Sequence, residues 1–421
     1  MPSAHSRFRS QFLRTFEARG QYYDCTDPLS LDRLFQEECA SGYIGFDCTA
    51  PSLHVGNLVQ IMSLRRLQQA GHKPIVLLGG GTTKVGDPSG RDQTRQLLSQ
   101  EEIDANKRTI LATFERFFAF GSGRSDAIVA DNADWLDRLE YIPFLRQVGR
   151  HFSVNRMLTM DSVRLRLDRD QPLTFLEFNY MILQAYDFLE LYRRYGCKLQ
   201  CGGSDQWGNI VSGVDLARRM DNAELFGLTS PLITTASGAK MGKTAAGAVW
   251  LSASMCSPYL YWQYWRNTED ADVGRFLRLF TDLPEDEIVR LERLQGSELN
   301  VAKKTLATEA TALCHGWEHA ERAADTAHQT FESREIAEGL PTIEVPREKL
   351  ESGILIANLA QLSGLTSSSS EARRFIQSGG LKLNDVIVTD VKATARAADV
   401  TPLGVMKISI GRKKHALIRP V

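Results

Sequence analysis

Between Gly42 and about Thr235 the sequence keeps returning to short apolar runs, YIGFD, PIVLLGG, AIVAD, CKLQCGG and PLITT, with helix-like stretches between them. This alternation constrains the fold more than any other feature. Strands joined through helices run parallel, and a parallel sheet is covered by helices on both faces. Ligands of such sheets bind beyond the carboxyl ends of the strands, and the unusual residues of this chain collect at those ends.

The chain has 421 residues, too many for one core. After Lys243 the pattern turns helical, through SPYLYWQYWRN, VGRFLRLF, EDEIVRLERL and the run from Val301 to Glu335. The expected divisions are 1–245 (the α/β unit), 246–338 (helical), 339–353 (a linker, GLPTIEVPREKLESG) and 354–421 (a basic tail). At 43% hydrophobic and 24% charged, the chain is not disordered, collagenous or a disulfide scaffold. A net charge of -1 conceals asymmetry, because residues 354–421 carry +6.

Seven irregularly spaced cysteines without a secretory leader point to a reducing cytosol. Cys197 and Cys201 share a strand face, but no second pair completes a zinc site, so no bound metal is expected. Cys314, His315, His319 and His328 lie in a charged helical run and read as solvated. No apolar run reaches the roughly 18 residues of a membrane span. The basic, Ser-containing N-terminus also allows an organellar transit segment, although a solvated first helix is the preferred reading.

Three local patterns carry chemistry. In GFDCTAPSLHVGNLVQIMSLRRLQQAG a strand ends near Asp47 and a helix starts around Val55, with Val55, Leu58, Val59, Met62 and Leu67 on its apolar side, Arg65 and Arg66 late in it and Gly71 past its end. Open N–H groups at such a start make an anion seat, with His54 at its rim. Gly56 leaves room for a flat adenine, while His54 and Asn57 can donate to a phosphate. No G-x-G-x-x-G follows the first strand, and there is no Walker A sequence. In SGAKMGKTAAG, Lys240 and Lys243 lie on a loop whose glycines let it close on a triphosphate as charge builds. In FNYMILQAYDFLELY, Tyr180, Gln184 and Asp187 stack on one helix face. A buried carboxylate there costs several kcal/mol unless it is hydrogen-bonded.

HVGN (His54 to Asn57) and KMGKT (Lys240 to Thr244) resemble the HIGH and KMSKS signatures of the class I aminoacyl-tRNA synthetases. Asn57 replaces the last histidine, and Gly242 and Thr244 replace the two serines. GDPSG, HFSVN, LQAYDF and GGSDQWGN are similar to the bacterial tyrosyl-tRNA synthetases, and the similarity runs from about Phe35 to the C-terminus. The resemblance implies a Rossmann-like catalytic domain with a connective insertion and dimer interface, then an α-helical domain and a small α+β RNA-binding domain. It further implies that Asp187 and Tyr43 hold the phenolic hydroxyl of tyrosine, that Tyr180, Gln184 and Asp87 take its ammonium group, and that Gln206 lies near its carboxylate. Gly203 and Asp205 would meet the ribose of ATP, and Thr49, His54, Lys240, Lys243 and Thr244 the phosphates.

The implied reaction is attack of the tyrosine carboxylate on the α-phosphorus of ATP, followed by transfer of the acyl group to the terminal adenosine of tRNA(Tyr). ATP with Mg2+ is the expected nucleotide substrate, with no tightly bound cofactor, and the expected assembly is a homodimer with one side of the Tyr180 helix at the partner. A site built for a hydroxyl rejects the analogue lacking it, tyrosyl-tRNA synthetases being the standing example of that rule. Rival readings are a synthetase-like RNA-binding protein without catalysis, a nucleotidyltransferase making another adenylate, and a tryptophanyl enzyme.

In the tail, Ser368 and Glu371 suggest a capping box, Arg373 and Arg374 lie on the helix that follows, and Gly379 suits its end. A hairpin is expected at Asn384-Asp385, and Arg412, Lys413 and Lys414 fall in a turn between two strands. This segment resembles the αL-type RNA-binding domain shared with a ribosomal small-subunit protein, which implies a salt-sensitive grip on tRNA. For the loop lysines the resemblance has a kinetic consequence: Lys243→Ala lowers the single-turnover rate of adenylate formation by roughly 10²–10³ with tyrosine binding nearly unchanged. An unaltered rate in a rapid-quench measurement would remove Lys243 from that role.

Overall fold

The computed structural model describes residues 6–89, 97–238, 241–244, 247–330, 340–401, 403–411 and 414–421, and only the backbone of Lys243 and Thr244. Lys240, Arg412 and Lys413 lie outside the described residues. Two compact units are formed, one from Met1–Gly242, Trp250–Ser252 and Glu269–Ala302, the other from Lys243–Val249, Ala253–Thr268 and Lys303–Val421.

The first unit is built on a six-stranded sheet: β1 (Asp24–Cys25), β2 (Ser41–Phe46), β3 (Lys73–Leu78), β4 (Ile128–Asp131), β5 (Leu199–Gly203) and β6 (Phe226–Ser230), in the order β1-β6-β5-β2-β3-β4. All neighbours are parallel except β1, which lies antiparallel at the edge against β6. Ile75, Val76 and Leu77 on β3 are almost wholly buried, as strands covered on both faces require. Four of the five expected apolar runs carry these strands. The fifth run, PLITT, carries no strand; the preceding FGLTS forms β6, which pairs residue by residue with β5. Pro231 has no N–H to continue the ladder, so the strand stops before it.

After β2 the chain makes a 3-10 turn at Val55–Asn57 and then the α-helix Leu58–Gln69. This helix buries more than one side, including Arg66, which is 2% exposed. Arg65 and Arg66 are therefore more than a stop signal: both grip Asp282, Arg65 Nε donating to Oδ2 at 2.8 Å and Arg66 to Oδ1. Gly71 follows in the left-handed region, at φ +83°. The N-terminal helix Gln11–Ala18 is docked rather than simply solvated, for Phe12, Leu13 and Phe16 are buried and the Phe12 ring lies 5.0 Å from that of Phe35. The long helix Tyr180–Tyr195 buries Met181, Ile182, Ala185, Phe188, Leu189 and Leu191 in the core of its own unit.

In the second unit Cys314 and His315 are buried, contrary to their reading as solvated, and the His315 ring sits edge-on to Tyr261 at 4.9 Å. The stretch read as a linker carries the strand Thr342–Val345, parallel to Lys414–Pro420, and the helix Arg347–Ser352. Thr342–Val345 edges a five-stranded sheet that continues through Lys414–Pro420, Met406–Ile410, Leu381–Leu383 and Val386–Ile387. Asn384 and Asp385 form the two-residue turn of the hairpin between Leu381–Leu383 and Val386–Ile387, with φ values of +48° and +65°. Half of the expected capping box exists: Ser368 Oγ accepts from Glu371 N–H at 3.2 Å, but the Glu371 carboxylate turns to the N–H and hydroxyl of Ser367 instead. No helix among the described residues is long and apolar enough to cross a membrane.

Burial raises the Asp282 carboxyl, but Arg65 and Arg66 outweigh it and hold the group down at about 2. A depressed carboxylate stabilises the fold above its ordinary pKa and loses that contribution as pH falls towards the folded value. Asp282→Asn is therefore expected to cost about 1–3 kcal/mol near neutrality, given a partly exposed carboxylate and a buried arginine. Urea titrations of both proteins should show this difference shrinking from about pH 4 downward.

Candidate active site

Strand order reverses between β2 and β5: from β2 the sheet continues one way to β3 and β4, and the other way to β5 and β6. A crevice opens at such a switch point beyond the carboxyl ends of the strands. Asp47, Thr49 and His54 follow β2, Thr82 follows β3, Asn132 and Trp135 follow β4, and Gly203, Asp205 and Gln206 end or follow β5.

The Tyr180–Tyr195 helix supplies Asp187, which is 2% exposed. Trp135 Nε1 donates to its Oδ1 at 2.7 Å, and Asn132 Nδ2 donates to its Oδ2 at 3.0 Å. Asn132 also donates to Thr82 Oγ1 at 2.9 Å, Thr82 donates to Asp47 Oδ1 at 2.8 Å, and Tyr180 donates to Asp47 Oδ2 at 3.1 Å. Tyr43, on β2 and 1% exposed, has a buried hydroxyl with no hydrogen-bond partner among the described residues. Burial and then the Asp187 charge push that phenol well above its ordinary range, so the two groups lie within electrostatic reach.

A second network runs beside the first. Asn209 Nδ2 donates to Gln184 Oε1 at 2.8 Å and to Gln206 Oε1 at 3.2 Å, and Gln206 Nε2 donates to Asp87 Oδ2 at 2.9 Å. Ser89 N–H donates to the other oxygen of Asp87 at 2.9 Å. The amide oxygen of Gln184 and the carboxylate oxygens of Asp87 each accept more than one donor, so an ammonium group can share them. Asp47 and Asp87 both act on the Tyr180 phenol, so the two networks adjoin.

At the helix start, His54 Nδ1 accepts the Gly56 N–H at 3.0 Å, while Asn57 Oδ1 accepts the His54 N–H at 3.1 Å. The Gly56 N–H expected to be open to an anion is thus capped by the imidazole. In the neutral ring this leaves the proton on Nε2, and the Asn57 NH2 remains a donor. A Cβ at position 56 would lie 2.7 Å from His54 Cε1, so the missing side chain makes room first for the imidazole. Trp250 bridges His54 along the backbone, and Leu251 N–H donates to Leu53 O at 2.9 Å. Thr49 is half-buried in the loop between Asp47 and His54. At the end of β5, Asp205 Oδ1 packs so close to Gly203 that a Cβ there would be 2.6 Å away.

Tyr43, Tyr180 and Asp187 come together with partners that the sequence reading did not name, Asp47, Thr82, Asn132 and Trp135, and Gln184 and Gln206 with Asn209. Asp47 and Asn132 had a signal available, since each is a polar residue directly after an apolar strand run. Among the described residues no group of three His, Cys, Asp or Glu side chains is placed to hold a metal ion. In the second unit, Arg373, Arg374 and Lys414 are exposed, and Arg374 and Lys414 both act on the Glu371 carboxylate, which joins the helix to the hairpin electrostatically. Lys407 of the basic tail is buried and paired with Asp385 at 3.2 Å, so it is structural.

Burial pushes the Asp187 carboxyl up to about 8; the bonds from Asn132 and Trp135 pull against that, and Asp47 and Asp131 push it further. A group with a raised folded pKa contributes stability below its unfolded pKa and loses it as pH rises through the folded value. The advantage of the parent protein over Asp187→Asn in thermal unfolding should therefore fall between about pH 4 and pH 8 and level off above. A difference independent of pH would mean that Asp187 ionises normally.

The family model for tRNA synthetases class I (W and Y) matches residues 36–332. A tyrosine–tRNA ligase of Nitrobacter winogradskyi is 61% identical over 98% of this chain and 99% of its own length. One from Caulobacter vibrioides is 58% identical over the whole of both. Among solved structures, a C-terminally truncated mitochondrial tyrosyl-tRNA synthetase of Aspergillus nidulans superposes with a TM-score of 0.69 at 30% identity, covering 77% of this chain and 95% of that one. The tyrosyl-tRNA synthetase of Archaeoglobus fulgidus complexed with L-tyrosine shares the fold, with a TM-score of 0.55 at 18% identity over 74% of this chain and 99% of that one. Similarity of this degree along its whole length means that the chain belongs to the class I aminoacyl-tRNA synthetases, in the tyrosine–tRNA ligase family.

Proposed function

We infer that the crevice between β2 and β5 holds L-tyrosine with its phenol at Asp187 and Tyr43 and its ammonium group among Tyr180, Gln184 and Asp87. The observation that carries this reading is a buried pair: a Tyr43 hydroxyl without a partner among the described residues, within electrostatic reach of a carboxylate that already receives two donors. A phenolic hydroxyl can donate to Asp187 and accept from Tyr43, and a phenyl ring can do neither.

ATP lies with its ribose at Gly203 and Asp205, its adenine by Gly56 and its phosphates at His54, Asn57, Thr49 and the Lys240–Lys243–Thr244 loop. Magnesium arrives with the nucleotide as part of the substrate. The tyrosine carboxylate, near Gln206, attacks the α-phosphorus, pyrophosphate leaves, and the acyl group of the adenylate passes to the terminal adenosine of tRNA(Tyr). No side chain acts as nucleophile; catalysis is positioning and stabilisation of charge, with His54 Nε2–H as one donor. The tail grips tRNA through Arg373, Arg374 and Lys414, together with Arg412 and Lys413.

The working form is a homodimer in the cytoplasm. Tyr141, Ile142, Val154 and Phe175, each more than half exposed, lie on one stretch of the first unit, and this favours that stretch over the largely buried Tyr180 helix as the contact with a second copy. All seven cysteines are free thiols, which suits a reducing compartment.

Pyrophosphate exchange tests the reading directly. Tyrosine should support exchange with a far higher kcat/KM than phenylalanine, and above about pH 8, where Asp187 is ionised, Asp187→Asn should weaken tyrosine by about 10–100-fold while leaving the weak phenylalanine exchange nearly unchanged, as expected for losing one charged hydrogen-bond acceptor. Equal losses for both amino acids would take Asp187 out of side-chain selection.

A further inference from the structure

One half-buried cation beside the pocket has no part in the reaction as read. Lys107, on the helix Gln100–Phe114, places its ammonium group 2.8 Å from Asp131 Oδ2 and 2.6 Å from Asp104 Oδ1. Asp131 is the last residue of β4, and its second oxygen accepts the Ala133 N–H at 3.0 Å. The same oxygen packs against Gly80 beyond β3, where an added Cβ would lie 2.3 Å from it. Lys107 and Gly80 thus fix the Asp131 carboxylate from two sides, and that carboxylate fixes the start of the turn 131–135. The turn carries both donors to Asp187: the Asn132 amide, itself held by the Gly81 N–H at 2.8 Å, and the Trp135 indole.

We propose that Lys107 is a positioning residue for tyrosine selection, holding Asp131 and, through it, the turn that aims Asn132 and Trp135 at Asp187. The inference rests on the reading that Asp187 receives the substrate phenol.

Two effects reach Asp187 through this route. The geometric one is the aim of the two donors, each of which stabilises the ionised carboxylate. The electrostatic one is charge compensation. Asp187 is faced by Tyr43 from β2, Asp47 beyond it, Asp131 at the end of β4, and Tyr180 on its own helix, besides Asn132 and Trp135. Asp131 is one of the two carboxylates in this set that disfavour a charge on Asp187, and Lys107 is bonded to it. Without the ammonium group, Asp131 acts unopposed in a region of low dielectric.

The test compares the parent protein with Lys107→Met, Lys107→Gln and Lys107→Arg in pyrophosphate exchange, with tyrosine and phenylalanine separately, from about pH 6 to about pH 9. Lys107→Met should raise the KM for tyrosine about tenfold, in step with a roughly tenfold smaller ionised fraction of Asp187, with kcat within about threefold and the KM for phenylalanine unchanged. The pH at which tyrosine binding levels off should move upward, and Lys107→Arg should restore both quantities. Should Lys107→Met fail to fold by circular dichroism, Lys107→Gln makes the same comparison. Tyrosine and phenylalanine constants rising together, or a pH profile that does not move, would overturn the role of Lys107. Absence of tyrosine-dependent exchange in the parent protein would overturn the functional reading instead.

Discussion

The pocket depends on keeping one carboxylate, Asp187, out of water. A carboxylate at 2% exposure is costly as an anion, and its upward shift to about 8 expresses that cost. The two donors that partly offset it come from a single turn after β4, so the position of the turn and the charge of the pocket are coupled. Everything near Asp187 follows from this need: Asn132 is shared between Asp187 and Thr82, Thr82 holds Asp47, and Asp47 holds the Tyr180 phenol. Changing one member alters the donor supply of the next, which is how a buried polar network becomes specific.

The sheet was largely legible in the sequence because a strand buried on both faces has a simple apolar signature. YIGF, PIVLL and LQCGG could be read directly, as could the half-buried edge run IVA from its apolar composition; FGLTS could not, since its Gly, Thr and Ser are buried without being apolar. The neighbouring PLITT has the stronger composition but a proline that stops the ladder. Buried polar residues misled the reading elsewhere too. Arg66, His315 and Lys407 look like surface side chains from their types alone, and each is buried beside a partner far away in sequence: Asp282, Tyr261 and Asp385.

The site was legible in part, for a similar reason. The stripe of Tyr180, Gln184 and Asp187 shows in helical spacing, and His54 stands out at a helix start. Asn132 and Trp135 show no comparable pattern, since their role arises only when β4 is placed next to β3 and the Tyr180 helix packs against the turn beyond it. The His54 cap was hidden as well: a histidine just ahead of a glycine-bearing apolar run does not reveal that its Nδ1 will take the Gly56 N–H. Sequence spacing reports neighbours along one element, whereas the pocket is assembled from several.

Charge is distributed unevenly in this crevice, and the distribution orients the substrates on the proposed reading. Asp47 and Asp87 both act on the Tyr180 phenol, and Asp47 and Asp131 on Asp187, so around Tyr180 an ammonium group is attracted and a phosphate repelled. At the start of the Leu58–Gln69 helix, the His54 imidazole and the Asn57 amide offer donors, and the helix adds a positive dipole. An amino acid entering with its ammonium group among the carboxylates must leave its own carboxylate nearer the donors, which is also where a triphosphate settles. Two anions are thereby brought close together, and their repulsion is overcome only if donors meet the charge that develops as the carboxylate approaches phosphorus. On that reading the carboxylates do more than recognise tyrosine: they set the direction from which the attack is made.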